Sequence, residues 1–147
     1  MLDVPRHNSF GGTPLYCAAT RGHTPIVRLS LRTGYVDVNA AEIRGRTPLW
    51  IAAFWGREVI AKLLLYTDKV NVNARGVDGT TALIVAAQEG YEGIRLLLGT
   101  CHIDVNAADD VFIRTPLLIA AQNGYDTVIK LLLDTGKVDV DAKGKYG

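Results

Sequence analysis

The stretch TPLYCAATRG, Thr13–Gly22, returns three times: as TPLWIAAFWG at Thr47–Gly56, TALIVAAQEG at Thr81–Gly90 and TPLLIAAQNG at Thr115–Gly124. Successive starts lie 34 residues apart. A second block keeps the phase, with YVDVNA ending at Ala40, VNVNA at Ala74, IDVNA at Ala107 and VDVDA at Ala142. Between the two blocks runs an apolar stretch that closes in LSL, LLL, LLL and LLL. A period of a few tens of residues, held over most of a chain, is the signature of stacked repeats.

Each unit has a physical reading. Threonine is a good helix N-cap, and proline beside it suits the first turn, where its missing N–H is harmless. Leu15, Ala18 and Ala19, with their counterparts Leu49, Ala52, Ala53, Leu83, Ala86, Ala87, Leu117, Ala120 and Ala121, share one side of a short helix. Gly22, Gly56, Gly90 and Gly124 stop that helix in the left-handed conformation. A second helix follows, with Val59, Ile60, Leu63 and Leu64 as its apolar stripe in the second unit, and ends near Thr33, Thr67, Gly99 and Thr135. The V-x-V-N segment alternates with period two and predicts an extended, half-buried arm. Gly11, Gly45 and Gly79, two residues before the next threonine, predict tight turns with positive φ. Neither helix is long enough to bury its stripe alone, so the units must stack.

This pattern resembles the ankyrin-repeat family over nearly the whole chain. Tetratricopeptide repeats share the period, but their long paired helices leave no place for a V-x-V-N arm or a T-P helix start. The resemblance implies an all-α solenoid of four stacked helix-turn-helix units with β-hairpin fingers. The units span about 5–38, 39–72, 73–105 and 106–140, with 141–147 opening a further one in an array expected to continue. The TGKVDVN style of the arm is similar to the long arrays attached to fungal NACHT-type proteins.

Several positions depart from the family pattern. Its histidine after T-P-L, which ties neighbouring turns together, is replaced by Tyr16, Trp50, Ile84 and Leu118. Those hydrogen bonds are therefore expected to be absent or replaced by apolar packing. Asn39, Asn73 and Asn106 keep the asparagine that in the family joins adjacent arms, and Asp141 replaces the fourth. The third unit loses a residue in its second helix and regains one in the finger AADDVFIRTP. There Ile113 takes the place of glycine, and since a β-branched residue disfavours positive φ, a different turn is expected.

Sixteen basic and 15 acidic residues leave a net charge of +1, which gives no electrostatic footprint for nucleic acid or an anionic membrane. Hydrophobic content of 48% suffices for a core. No apolar run approaches the ~18 residues that span a bilayer. Cys17 and Cys101 are too far apart in sequence to read as a disulfide framework, and an intracellular chain, cytoplasmic or nuclear, is expected. Cys17 reads as a small core residue. His7, His23 and His102 fall in a finger, beyond a helix end and in an arm, so they form no metal-ligand set. With no phosphate loop, nucleophile elbow or H-E-x-x-H motif, neither enzyme chemistry nor a cofactor is expected. Asp109 and Asp110 read as solvated neighbours.

In ankyrin-like proteins the partner lies in a concave groove built from the fingers and the exposed ends of the first helices. Carried over by phase, the groove positions are His7, Ser9, Phe10, Gly12, Thr20 and Arg21 in the first unit, and Ala41, Ile43, Arg44, Arg46, Phe54 and Trp55 in the second. The third contributes Arg75, Val77, Asp78, Thr80, Gln88 and Glu89, and the fourth Val111, Phe112, Arg114, Gln122 and Asn123. Phe54 and Trp55 stand out, because the other units carry polar residues there. An aromatic pair flanked by arginines has the composition of a binding hot spot, although one ring can instead fold back over a helix end. The expected function is binding of another protein or peptide by a monomeric module. The competing readings are a structural spacer or a regulatory segment attached to an enzyme outside this chain.

Overall fold

A computed structural model describes residues 10–147. Its eight helices come in four pairs: α1 (Pro14–Arg21) with α2 (Thr24–Arg32), α3 (Pro48–Phe54) with α4 (Glu58–Leu65), α5 (Ala82–Glu89) with α6 (Ile94–Leu98), and α7 (Pro116–Asn123) with α8 (Asp126–Asp134). The first helices of the pairs pack on one another in file, and so do the second helices, which makes two rows. His7, Ser9 and the first residues of the first unit lie outside the described residues.

Local chemistry sets the helix ends. The hydroxyls of Thr13, Thr47, Thr81 and Thr115 accept from the backbone N–H three residues on, at 3.2–3.3 Å. Such a cap satisfies a donor that the helix itself leaves unpaired. Gly22, Gly90 and Gly124 close α1, α5 and α7 at φ near +70°. The core is then one continuous file: Leu15, Leu49 and Leu83 with the paired alanines in the first row, and Val27, Ile60, Leu64, Ile94, Leu97, Val128 and Leu132 in the second. Paired alanines allow the first-row helices to approach closely.

Three expected core positions fall short for positional reasons. Val59 is exposed, because it sits on the outward side of α4. Ala121 is exposed and Leu117 only half-buried, because no helix among the described residues packs on the far side of α7.

The β-hairpin fingers are also corrected. Among the described residues no strand forms; the fingers are tight turns, closed by Glu42 N–H to Arg46 O at 3.1 Å and Gly45 N–H to Glu42 O at 2.8 Å, and by Gly76 N–H to Thr80 O and Gly79 N–H to Gly76 O, both at 2.9 Å. Backbone bonds join neighbouring fingers, Ile43 N–H to Phe10 O, Val77 N–H to Arg44 O, Asp110 N–H to Asp78 O and Lys145 N–H to Phe112 O, and Arg75 reaches Ala108 O and Asp110 across the last-but-one junction. Such isolated rungs make no ladder. The arms hold as the asparagines imply. The Asn39 amide donates to Lys69 O and accepts from Asn71 N–H, and Asn73 and Asn106 repeat the arrangement one unit on each time.

Candidate functional site

Three fingers are braced from within by their own acids. Glu42 is buried, and its carboxylate accepts from the backbone N–H of Arg44 and Arg46 and from both Nε and Nη2 of Arg46. Burial, the largest single influence, pushes the carboxyl upward, but the Arg46 contacts and the backbone donors together hold it below its ordinary value. Asp109 does the same in the longest finger. It accepts from Val111 and Phe112 N–H and from Arg114 Nε at 2.9 Å, and those contacts likewise outweigh its burial. The expectation that Asp109 is merely solvated is therefore wrong; only Asp110 is exposed, and it pairs with Arg75 at 2.8 Å. An acid followed within the same finger by arginine, as in EIRGR and DDVFIR, was the available signal. In the third unit Asp78 takes the role, accepting from the Thr80 N–H and hydroxyl.

Ile113 also departs from expectation. It keeps a positive φ of 56°, although the finger widens by one residue so that Asp109 N–H closes onto Arg114 O. The capped and ion-paired loop overrides the local preference of a β-branched residue.

Arg46 and Arg114 are thus not simple groove cations. Each is half-buried, pinned by its carboxylate and laid over a ring, Arg46 at 5.3 Å from the Trp50 centroid and Arg114 at 4.7 Å from that of Phe112. Trp50 itself corrects another expectation. Its indole Nε1 donates to Thr80 Oγ1 at 3.1 Å, so one inter-unit hydrogen bond survives the loss of histidine.

Phe54 and Trp55 divide. The Phe54 ring stacks on Trp50 with centroids 5.4 Å apart and packs against the core, while Trp55 meets Phe54 edge-on at 5.1 Å and stays 49% exposed. Between the fingers and the first helix row this cluster lines a recess of about 350 Å³, together with Phe10, Tyr16, Cys17, Thr20, Arg21, Arg46 and Ile51. Cys17, expected in the core, is half-buried here. Burial is the main cause that raises the Tyr16 phenol above its ordinary value, so the hydroxyl stays protonated at neutral pH. Phe10, Ile43, Val77 and Phe112 are exposed on successive fingers, as are Arg44 and Asp78. Gln88 and Glu89 are half-buried and bonded to each other; Gln122 and Asn123 are exposed, and the Asn123 amide donates to Gln88 O. The recess gathers Phe10, Thr20, Arg21, Arg46, Phe54 and Trp55 of the sequence-derived positions, but none of the others.

No group of histidine, cysteine and acidic residues able to hold a metal occurs among the described residues, and no helix there is long and apolar enough to cross a membrane. No curated protein matches the chain. A family model described as ankyrin repeats, in three copies, matches residues 2–76 and again 67–144. Helix pairs in file, threonine caps, left-handed glycine stops and asparagine-linked arms are what such repeats build, and domains of this kind are generally protein-interaction modules without catalysis of their own. The chain belongs to the ankyrin-repeat family.

Proposed function

We propose that the face made by the finger tips and the first helix row binds a partner protein, with the second unit as its anchor. The supporting observation is Trp55, an aromatic ring half in solvent at the mouth of a recess whose other walls are Phe10, Tyr16, Arg21 and Phe54. Interfaces concentrate their energy in such aromatic anchors, where a partner side chain can be fully desolvated. Phe54 acts indirectly, because its stacking on Trp50 holds the edge against which Trp55 rests. Arg21 takes part in none of the ion pairs among the described residues and is available to a partner carboxylate at the rim. The remaining finger positions supply fit. The module acts by holding, in an intracellular setting, and needs no cofactor.

The test is to titrate a native partner against the chain and its Trp55→Ala variant. Anchoring predicts an affinity loss of roughly 2 kcal/mol, about thirtyfold. Unchanged affinity would remove Trp55 from the interface.

A further inference from the structure

The second helix row has its own concavity, on a side of the molecule that no finger residue lines. Between α2 and α4 lies a cleft of about 720 Å³ whose apolar walls include Leu29, Leu31, Leu63 and Tyr66. Leu29 on α2 is 64% exposed and Tyr66, the residue that follows α4, 73%, where the outward side of a surface helix and its end ordinarily carry polar side chains. Scattered exposed apolar residues are normal, but here they gather in one hollow. Arg28 and Arg32, one helix turn apart, stand on the same cleft. No acidic side chain lines it, α2 carries none, and neither arginine is ion-paired among the described residues.

We propose that this cleft docks an acidic, partly apolar peptide segment of a partner protein. A leucine- or phenylalanine-sized side chain sits between Leu29 and Tyr66, and two carboxylates meet Arg28 and Arg32. Guanidinium groups match carboxylates in paired, planar geometry. Residues four apart on a helix hold their Cβ atoms about 5–6 Å apart, a spacing met by carboxylates one turn apart on a helix or two residues apart on a strand. An apolar floor between two charges disfavours a continuous phosphate backbone, which carries charge at every step and no apolar group to fill the hollow. This surface is separate from the one around Trp55, so the partner can engage both or either.

The experiment titrates the isotope-labelled full chain with short peptides that carry one Leu, Phe or Trp flanked by Asp and Glu, and with their Asn/Gln counterparts. The expected result is saturable shifts of amides in α2 and the C-terminal half of α4 with the acidic set, weakened by added salt and missing with the neutral set. The double variant Arg28→Glu/Arg32→Glu and the single variant Leu29→Asp, all at exposed positions, should each weaken binding about tenfold or more, while Trp55→Ala leaves it intact. Circular dichroism of each variant checks that the fold is kept. Shifts confined to the finger side, equal binding of neutral peptides or indifference to charge reversal would each overturn the proposal. So would no binding by any acidic peptide, or sedimentation with phosphatidylserine vesicles in its place.

Discussion

Trp50 Nε1 donates to Thr80 Oγ1, and Thr80 Oγ1 in turn donates to Asp78 Oδ1 at 2.6 Å, so a polar chain runs from the core of the second helix pair into the third finger. The indole is only 6% exposed, and a buried donor without an acceptor is costly. Thr80→Val should therefore cost about 1–3 kcal/mol in urea unfolding. Trp50→Phe removes the donor and some core volume together. In the double variant the losses should fall short of their sum by about 1 kcal/mol. Strict additivity would mean that the bond contributes nothing.

Glu42 and Asp109 make the stability pH-dependent in one direction. Both carboxyls are held below their ordinary values of 4.5 and 3.8 in the folded chain. Their contribution is thus fully present above those values and disappears as pH falls through the lower, folded ones. The urea midpoint should hold steady near neutrality and decline below about pH 4.5. Glu42→Gln should lower stability by about 2 kcal/mol at pH 7 and flatten that decline. An equally steep acid limb in the Glu42→Gln/Asp109→Asn variant would assign the effect to other groups.

What could be read in the sequence follows from how far each feature reaches. The threonine caps, the left-handed Gly22, Gly90 and Gly124 and the apolar phases of α1 to α8 depend on a few neighbouring residues, and the repeat shows them four times. Trp50–Thr80 was out of reach because it joins side chains 30 residues apart at positions that differ between units. The bracing by Glu42 and Asp109 was within reach but masked, since an acidic residue in a turn ordinarily faces water. Phe54 and Trp55 look equivalent in a string of letters; the Trp50 ring one turn before Phe54 separates the half-buried, core-packed partner from the exposed one.

Gly90 and Gly124 form a natural comparison. Both close a first-row helix at φ near +70°, yet a Cβ at Gly90 would stand 2.9 Å from the Tyr125 ring, while at Gly124 it would meet nothing within 4 Å. Gly124→Ala should cost about 1–2 kcal/mol from the left-handed backbone alone. Gly90→Ala should cost clearly more, because Tyr125 must also move off its seat between units. Equal losses in chemical denaturation would show that the tyrosine yields freely.

Phe54 and Trp55 should separate stability from binding. Phe54→Ala removes a half-buried ring stacked on Trp50 and should lower stability by about 2–3 kcal/mol. Trp55→Ala removes a ring half in solvent and should cost under about 1 kcal/mol, while it weakens capture of a native partner. A pattern with the two residues exchanged would place the anchor on Phe54.

Ile113 is a residue whose replacement should help. Its φ of 56° is strained for a β-branched side chain, at about 1–2 kcal/mol, and the side chain is 46% exposed, so little apolar burial is lost with it. Asparagine tolerates this backbone region and adds no chain entropy to the unfolded state as glycine would. Ile113→Asn should then raise stability by up to about 1 kcal/mol, and Ile113→Gly by somewhat less. The finger keeps its shape in both, because Asp109 still accepts from Val111, Phe112 and Arg114. A lowered urea midpoint for both variants would mean that the isoleucine side chain holds more of this finger together than its exposure suggests.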